Sequence, residues 1–211
     1  MMPKRRNNGP SGPGYRARQV EVRQVRQRFL ILCEGSKTEP NYFRAFPTAA
    51  NVIDIEVDGL ACDPKKLTRA AIDRKTMSDA DGTPYDQIWC VFDRDDWPVT
   101  LFNQAFEDAR NNGIEVAYSN EAFELWYLLH FNYYDTACSR TDYKRRLSTL
   151  LGKTYQKNDP GMYSVLGARQ QTAIRNADRL LSHYNPPHPS DDNPSTTVHR
   201  LVRELSDHAR P

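Results

Sequence analysis

Acidic side chains follow apolar runs at three places in this chain. "FLILC" (residues 29–33) runs into Glu34, "QIWCVF" (87–92) into "DRDD", Asp93 to Asp96, and "IEVAYS" (114–119) into "NEAFELWYLLHF", with Glu121 and Glu124. An acid at the end of a buried strand is costly unless a helix N-terminus, a basic side chain or a metal ion sits beside it. In extended chain, residues two apart point the same way, so Asp93 and Asp95 face one side and Arg94 the other. Two carboxylates that close raise each other's pKa unless a cation neutralises them. Mg²⁺ (or Mn²⁺) answers that need, because it favours oxygen ligands and binds through one or two carboxylates plus phosphates. With Glu34 from a neighbouring strand, the set could hold one ion, or two about 3.5–4 Å apart, the two-metal arrangement of phosphoryl chemistry. Plainer roles stand beside this one. Asp95 or Asp96 could cap a helix after Pro98, Glu34 could pair with Lys37, and Glu124 could pair with a basic residue such as Arg94. Glu121 could simply favour a helix N-terminus. His130 does not share a helix face with Glu124 and reads as a satisfied core histidine.

These acids need elements to carry them. The unbroken apolar runs at 28–33 and 87–92 read as fully buried strands. "VIDIEVDG" (52–59) alternates apolar and acidic and reads as a half-exposed strand. Helices are expected over 40–50, 64–77 and 98–112, the last stopped by Gly113. Strands alternating with helices imply a parallel sheet covered on both faces, whose ligands bind at the strand C-termini. After residue 119 the pattern turns helical: 120–131 is apolar almost all round, and 142–151 and 168–184 are amphipathic. Residues 185–194 form a proline-rich loop, and a final helix is expected to start at Asn193 as cap with Pro194 behind it.

Composition sets the outer bounds. Of 211 residues, 38% are hydrophobic and 27% charged, as in a soluble globular chain. No apolar run approaches a membrane span, and the N-terminus lacks the apolar segment of a secretory signal, so no membrane partner and a cytoplasmic location are expected. Cys33, Cys62, Cys90 and Cys138 form no C-x-x-C, which argues against a zinc site and a disulfide framework. The net charge of +2 divides into +7 over residues 1–28, −10 over 29–135 and +5 over 136–211. Three regions follow: a disordered basic tail (1–20), an α/β core with the acidic site (21–135) and a basic helical extension packing on it (136–211). Lys37 lies in the turn before a helix. Arg140, Lys144, Arg145, Arg146, Lys153 and Lys157 lie in the basic region. Each could hold nucleic-acid phosphates or be an ordinary solvated cation.

"LILCEGSKTEPNYF", "WCVFDRDD", "SNEAFELWYLLHF" and "NPSTTVHRLVREL" together resemble the RloB-like proteins, of the wider Toprim group, over about residues 29–206. The resemblance implies a Toprim-like (Rossmann-like) α/β fold, a mostly parallel sheet flanked by helices with a helical C-terminal extension. It implies metal-dependent phosphodiester chemistry, with Glu34 as the signature glutamate, Asp93 and Asp95 as the Mg²⁺-binding pair, and Asp96 adjoining. Glu121 and Glu124 would stand behind them. It further implies a nuclease acting on DNA or RNA in phage defence (abortive infection), beside an ABC/AAA-type ATPase, with oligomerisation open. Two alternatives remain: a non-catalytic adaptor docking to the ATPase, and a nucleotidyl transferase. Residues 120–131 and 155–157 carry no assigned role.

Overall fold

Five consecutive buried apolar residues, Phe29 to Cys33, explain why β1 (Gln27–Cys33) lies at the heart of a sheet. The computed structural model describes residues 26–47 and 53–209, so the expected basic tail lies outside the described residues. The other strands are β2 (Ile53–Gly59), β3 (Gln87–Asp93), β4 (Glu115–Asn120) and a two-residue β5 (Ser195–Thr196). The sheet order is β2-β1-β3-β4-β5, parallel except for the antiparallel β4–β5 pair. Helices α1 (Thr38–Arg44), α2 (Pro64–Ala80), α3 (Val99–Asn111) and α4 (Glu124–Leu129) follow the first four strands in turn. Helices α5 (Arg140–Leu151), α6 (Met162–Leu166), α7 (Gln170–Leu181) and α8 (Val198–Ala209) complete the chain. This is the α/β, Rossmann-like arrangement expected, with a helical C-terminal part. Among the described residues no helix is long and apolar enough to cross a membrane.

The period-2 alternation of buried strands sorts the core into two faces. Leu30, Leu32, Cys90 and Phe92 pack with Leu67, Ala71, Phe102 and Ala105 of α2 and α3. Phe29, Ile31, Cys33 and Val91 pack on the other face with residues of α1, α4, α5, α7 and α8. The extension and the sheet therefore share one core. Local signals place several ends: Asp63 caps α2 by accepting from the Lys66 N–H at 2.9 Å, and Ser139 caps α5. Gly152 closes α5 in the left-handed conformation, φ +65°.

Some boundaries differ from those expected. Helix α1 begins at Thr38 and stops at Arg44, while residues 48–52 lie outside the description. Helix α4 begins at Glu124, not 120, because Asn120 closes β4 and pairs with Ser195. Asn193 caps no helix. Ser195 and Thr196 add an antiparallel strand first, and α8 starts at Val198, whose N–H donates to Thr196 Oγ1. Met162 and Tyr163 open the short helix α6.

His130 is a core residue, as expected: it is buried and its Nδ1 donates to the Trp126 carbonyl at 2.9 Å. Burial pushes its pKa down from 6.5 to about 4. Its folded pKa lies below the unfolded one. Its contribution is therefore complete above pH 6.5, declines as the unfolded chain takes up the proton, and is lost by about pH 4, a total of about 3 kcal/mol. His130→Gln, which cannot titrate, is expected to remove that part of the acid-side decline. Denaturant unfolding of both proteins at pH 7.5 and 5 measures it, and parallel declines would contradict a neutral buried imidazole.

Candidate active site at the sheet switch point

From β1 the chain crosses to β2 on one side and to β3 on the other, so the strand order reverses between β1 and β3. In doubly wound sheets the crevice beyond the strand C-termini at that switch is where ligands bind. The register sets Cys33 beside Val91, and the Glu34 N–H donates to the Val91 carbonyl at 2.8 Å. The first residue past β1 thus lies beside the C-terminal end of β3. A cleft of 460 Å³ opens here, lined by Glu34, Gly35, Glu39, Ala61, Cys62, Asp63, Lys66, Asp93, Asp95, Trp97, Arg140 and Lys157. A larger cleft, 570 Å³, opens at the opposite edge around Gln87, Trp89 and Glu115, away from every strand C-terminus.

Glu34 is held on both oxygens. Its Oε2 accepts the Asp93 N–H at 3.0 Å and its Oε1 the Trp97 Nε1–H at 2.8 Å. Lys37 is therefore not its partner. Burial raises the Glu34 carboxyl above its ordinary range, against the pull of those two donors and of the Arg140 and Lys157 charges. Asp93 is raised further, by burial and then by the charges of Glu39, Glu34 and Glu124. Asp95 also faces the cleft, but for a reason other than strand alternation. β3 ends at Asp93, and Asp95 sits in the following turn at φ +42°, a left-handed conformation that Asp tolerates better than most residues. An ion pair with Arg140, at the start of α5, holds it there. Arg94 does turn away, as expected, donating to the Ser190 carbonyl and lying over the Phe102 ring.

Other expected site residues fall elsewhere. Asp96 is exposed outside the cleft lining, and neither it nor Asp95 caps α3, whose cap position is Pro98. Glu121 is half-buried outside the lining, and its carbonyl accepts the Asp95 N–H. Glu124 is 2% exposed and pairs with the Tyr155 hydroxyl at 3.4 Å, not with Arg94. Lys37 is exposed at the cap position of α1, outside the cleft. Lys144 and Arg145 are exposed on α5, where Arg145 pairs with Asp142. Arg146 lies over the Tyr134 ring, and Lys153 pairs with Asp159. Of the basic residues singled out in the sequence, Lys157 and Arg140 reach the cleft.

Lys157 arrives there on a loop seated against α1. Its carbonyl accepts from Thr38 Oγ1 at 2.7 Å, and the next carbonyl, of Asn158, accepts from Asn41 Nδ2 at 3.3 Å. The 155–157 block thereby acquires a place: Tyr155 on Glu124, Lys157 beside the acids. Thr38→Val is expected to loosen this seat by about 1 kcal/mol. Faster amide hydrogen exchange over residues 153–161, with the sheet unchanged, would report it, and unchanged exchange would count against it.

Glu39, Lys66 and Trp97 also line the cleft without a strong signal in the sequence. Glu39 sits in the first turn of α1, 5% exposed, with its Oε2 unpartnered and its carboxyl raised to about 7 by burial and by the Glu124 and Glu34 charges. Its one legible sign is position, because the first turn after β1 must share the β1 edge. A Cβ at Gly35 would overlap the Glu39 carboxylate, so any larger residue there would displace that side chain. The donor set suits a hard divalent cation: carboxylate oxygens that repel one another, one of them unpartnered. As these side chains lie, no group of three or more Asp, Glu, His or Cys among the described residues is arranged to hold a metal ion.

No curated protein and no solved structure matches the chain. The family model for RloB-like protein matches residues 29–205, a span that takes in all three acidic strand ends, the Lys157 loop and most of α8. The chain belongs to the RloB-like family.

Proposed function

We propose that the chain is a metal-dependent, Toprim-type nuclease that cleaves phosphodiester bonds at the cleft between β1 and β3. The observation that carries this reading is the adjacency of Glu34 and Asp93 at the switch point, both raised by burial in a cleft that also presents Arg140, Lys157 and Lys66. Acids that resist ionisation beside cations suit a substrate that brings phosphate charge and a reaction that moves protons. Glu34, Asp93 and Asp95 would hold Mg²⁺ or Mn²⁺, with Glu39 next to them. When bound, the ion would polarise the phosphate and lower the pKa of water. Arg140 and Lys157 would bind backbone phosphate, and Glu34 would keep or pass a proton at its carboxylate. The family resemblance extends the proposal to an effector of phage defence acting with an ABC/AAA-type ATPase.

A second reading has its own observation. Both Glu34 oxygens accept N–H donors and Asp95 is paired with Arg140, as in a structural network of a non-catalytic adaptor. One assay separates the two: DNA and RNA, single- and double-stranded, are incubated with Mg²⁺ or Mn²⁺, with and without the ATPase partner. The nuclease reading expects cutting by wild type and none by the Glu34→Ala, Asp93→Ala double variant. No cutting under any condition, or equal cutting by both proteins, would sink it.

A further inference from the structure

Trp97 is the aromatic residue of the cleft lining, and its position goes beyond metal and phosphate. It lies on the loop between Asp95 and α3 and is half-buried. Indole has one polar group, a donor. Trp97 uses that donor on Glu34 Oε1 at 2.8 Å, so the ring plane is fixed relative to the acid before any substrate arrives. The lining also includes Ala61, exposed, and Cys62, half-buried, with the cations Lys66, Arg140 and Lys157. A fixed, part-exposed aromatic face beside phosphate-binding cations is the combination that holds nucleic acid by base stacking. A ring already fixed loses little freedom when a base lands on it. Duplex bases already stack on their neighbours and offer no free face without unstacking.

We propose that the Trp97 indole is the base-stacking platform of this site, so that the substrate enters as a single strand or with an unstacked nucleotide beside the scissile phosphate. The inference rests on the nuclease reading and names its substrate class. It also makes Trp97 a positioning residue for Glu34, through an atom other than the stacking face.

The two roles separate by substitution. Trp97→Phe keeps an aromatic face and loses the N–H, whereas Trp97→Leu loses both. The full chain in EDTA, where metal-dependent cutting is blocked, is titrated with fluorescein-labelled 12-nucleotide single-stranded DNA, single-stranded RNA and the matching duplexes. Wild type is expected to prefer a single strand, and the two single strands show whether the sugar matters. Trp97→Phe should bind within about twofold of wild type, and Trp97→Leu about five- to a hundredfold more weakly, the size of one base–aromatic stack. Duplex affinity should not follow the substitution. A second readout needs no folded variant for its first result. Trp89 and Trp126 are 3% and 0% exposed, so quenching of wild-type tryptophan fluorescence by an unlabelled single strand reports Trp97. Wild-type Trp97 emission unquenched by a bound strand, Trp97→Leu binding single strands like wild type, or wild type preferring duplex would each overturn the proposal. Glu34-dependent cutting of duplex by Trp97→Leu at the wild-type rate would overturn the stacking role and leave the nuclease standing. Trp97-dependent single-strand binding without any cutting would do the reverse.

Discussion

Asp93→Asn is expected to lower phosphodiester cleavage by at least about a hundredfold while raising the stability of the folded chain. The two effects have one cause. Asp93 is pushed up by burial and by the charges of Glu39, Glu34 and Glu124, so the folded state disfavours its ionised form. Asparagine has the same shape and removes the repulsion. It also removes the charge that would hold a divalent ion and orient phosphate. In a chain of this size, about 1 kcal/mol moves Tm by roughly 2–4 °C, so the gain is readable in a thermal melt without added metal at pH 8. The gain should shrink as the pH falls, because a carboxyl held above its ordinary range takes up its proton in the folded state first. A melt showing lower stability for Asp93→Asn at pH 8 would mean that the acids are fully compensated in the fold. Cleavage at the wild-type rate would remove Asp93 from the chemistry. Stability held below its maximum at a working site is a common exchange.

Trp126→Ala should have the largest effect on folding. Trp126 is fully buried in α4, with its ring centroid 4.7 Å from that of His130, in the core that joins the sheet to α5, α7 and α8. Truncating a buried aromatic removes its transfer energy and leaves a cavity, together about 3–5 kcal/mol. Against a typical total of about 5–15 kcal/mol this is a large share. Because α4 sits between the strands and the C-terminal helices, both should unfold in one transition of lower midpoint. Urea unfolding followed by far-UV circular dichroism tests this. A loss under about 1 kcal/mol, or a separate early transition of the helical part, would show that the two regions do not share a core.

The sequence was most readable where burial is complete. β1 and β3 stood out as unbroken apolar runs because both of their faces are covered, and the acids beyond them followed from the rule for parallel sheets. β5 was invisible: two residues carry no period, and the asparagine and proline before them look like a helix start. Asp95 reached the cleft by a turn and an ion pair, not by the alternation that pointed to it. Glu39 and Trp97 looked like a helix-end acid and a loop aromatic. Their place in the site comes from the meeting of five chain segments, which no local pattern encodes. The same holds for the basic residues. Composition identified a basic region, but only the fold separates Lys157 and Arg140 from the solvated cations of α5.

The loop carrying Lys157 is gripped through its own carbonyl oxygens, by the side chains of Thr38 and Asn41. Every amino acid supplies that oxygen. The seat is thus written in α1, while the side chains displayed beside the acids can be exchanged without undocking the loop. Relatives that keep the threonine and asparagine can change what stands at 156–158 one residue at a time, and a library randomised there should retain the fold while sampling new preferences for the incoming strand.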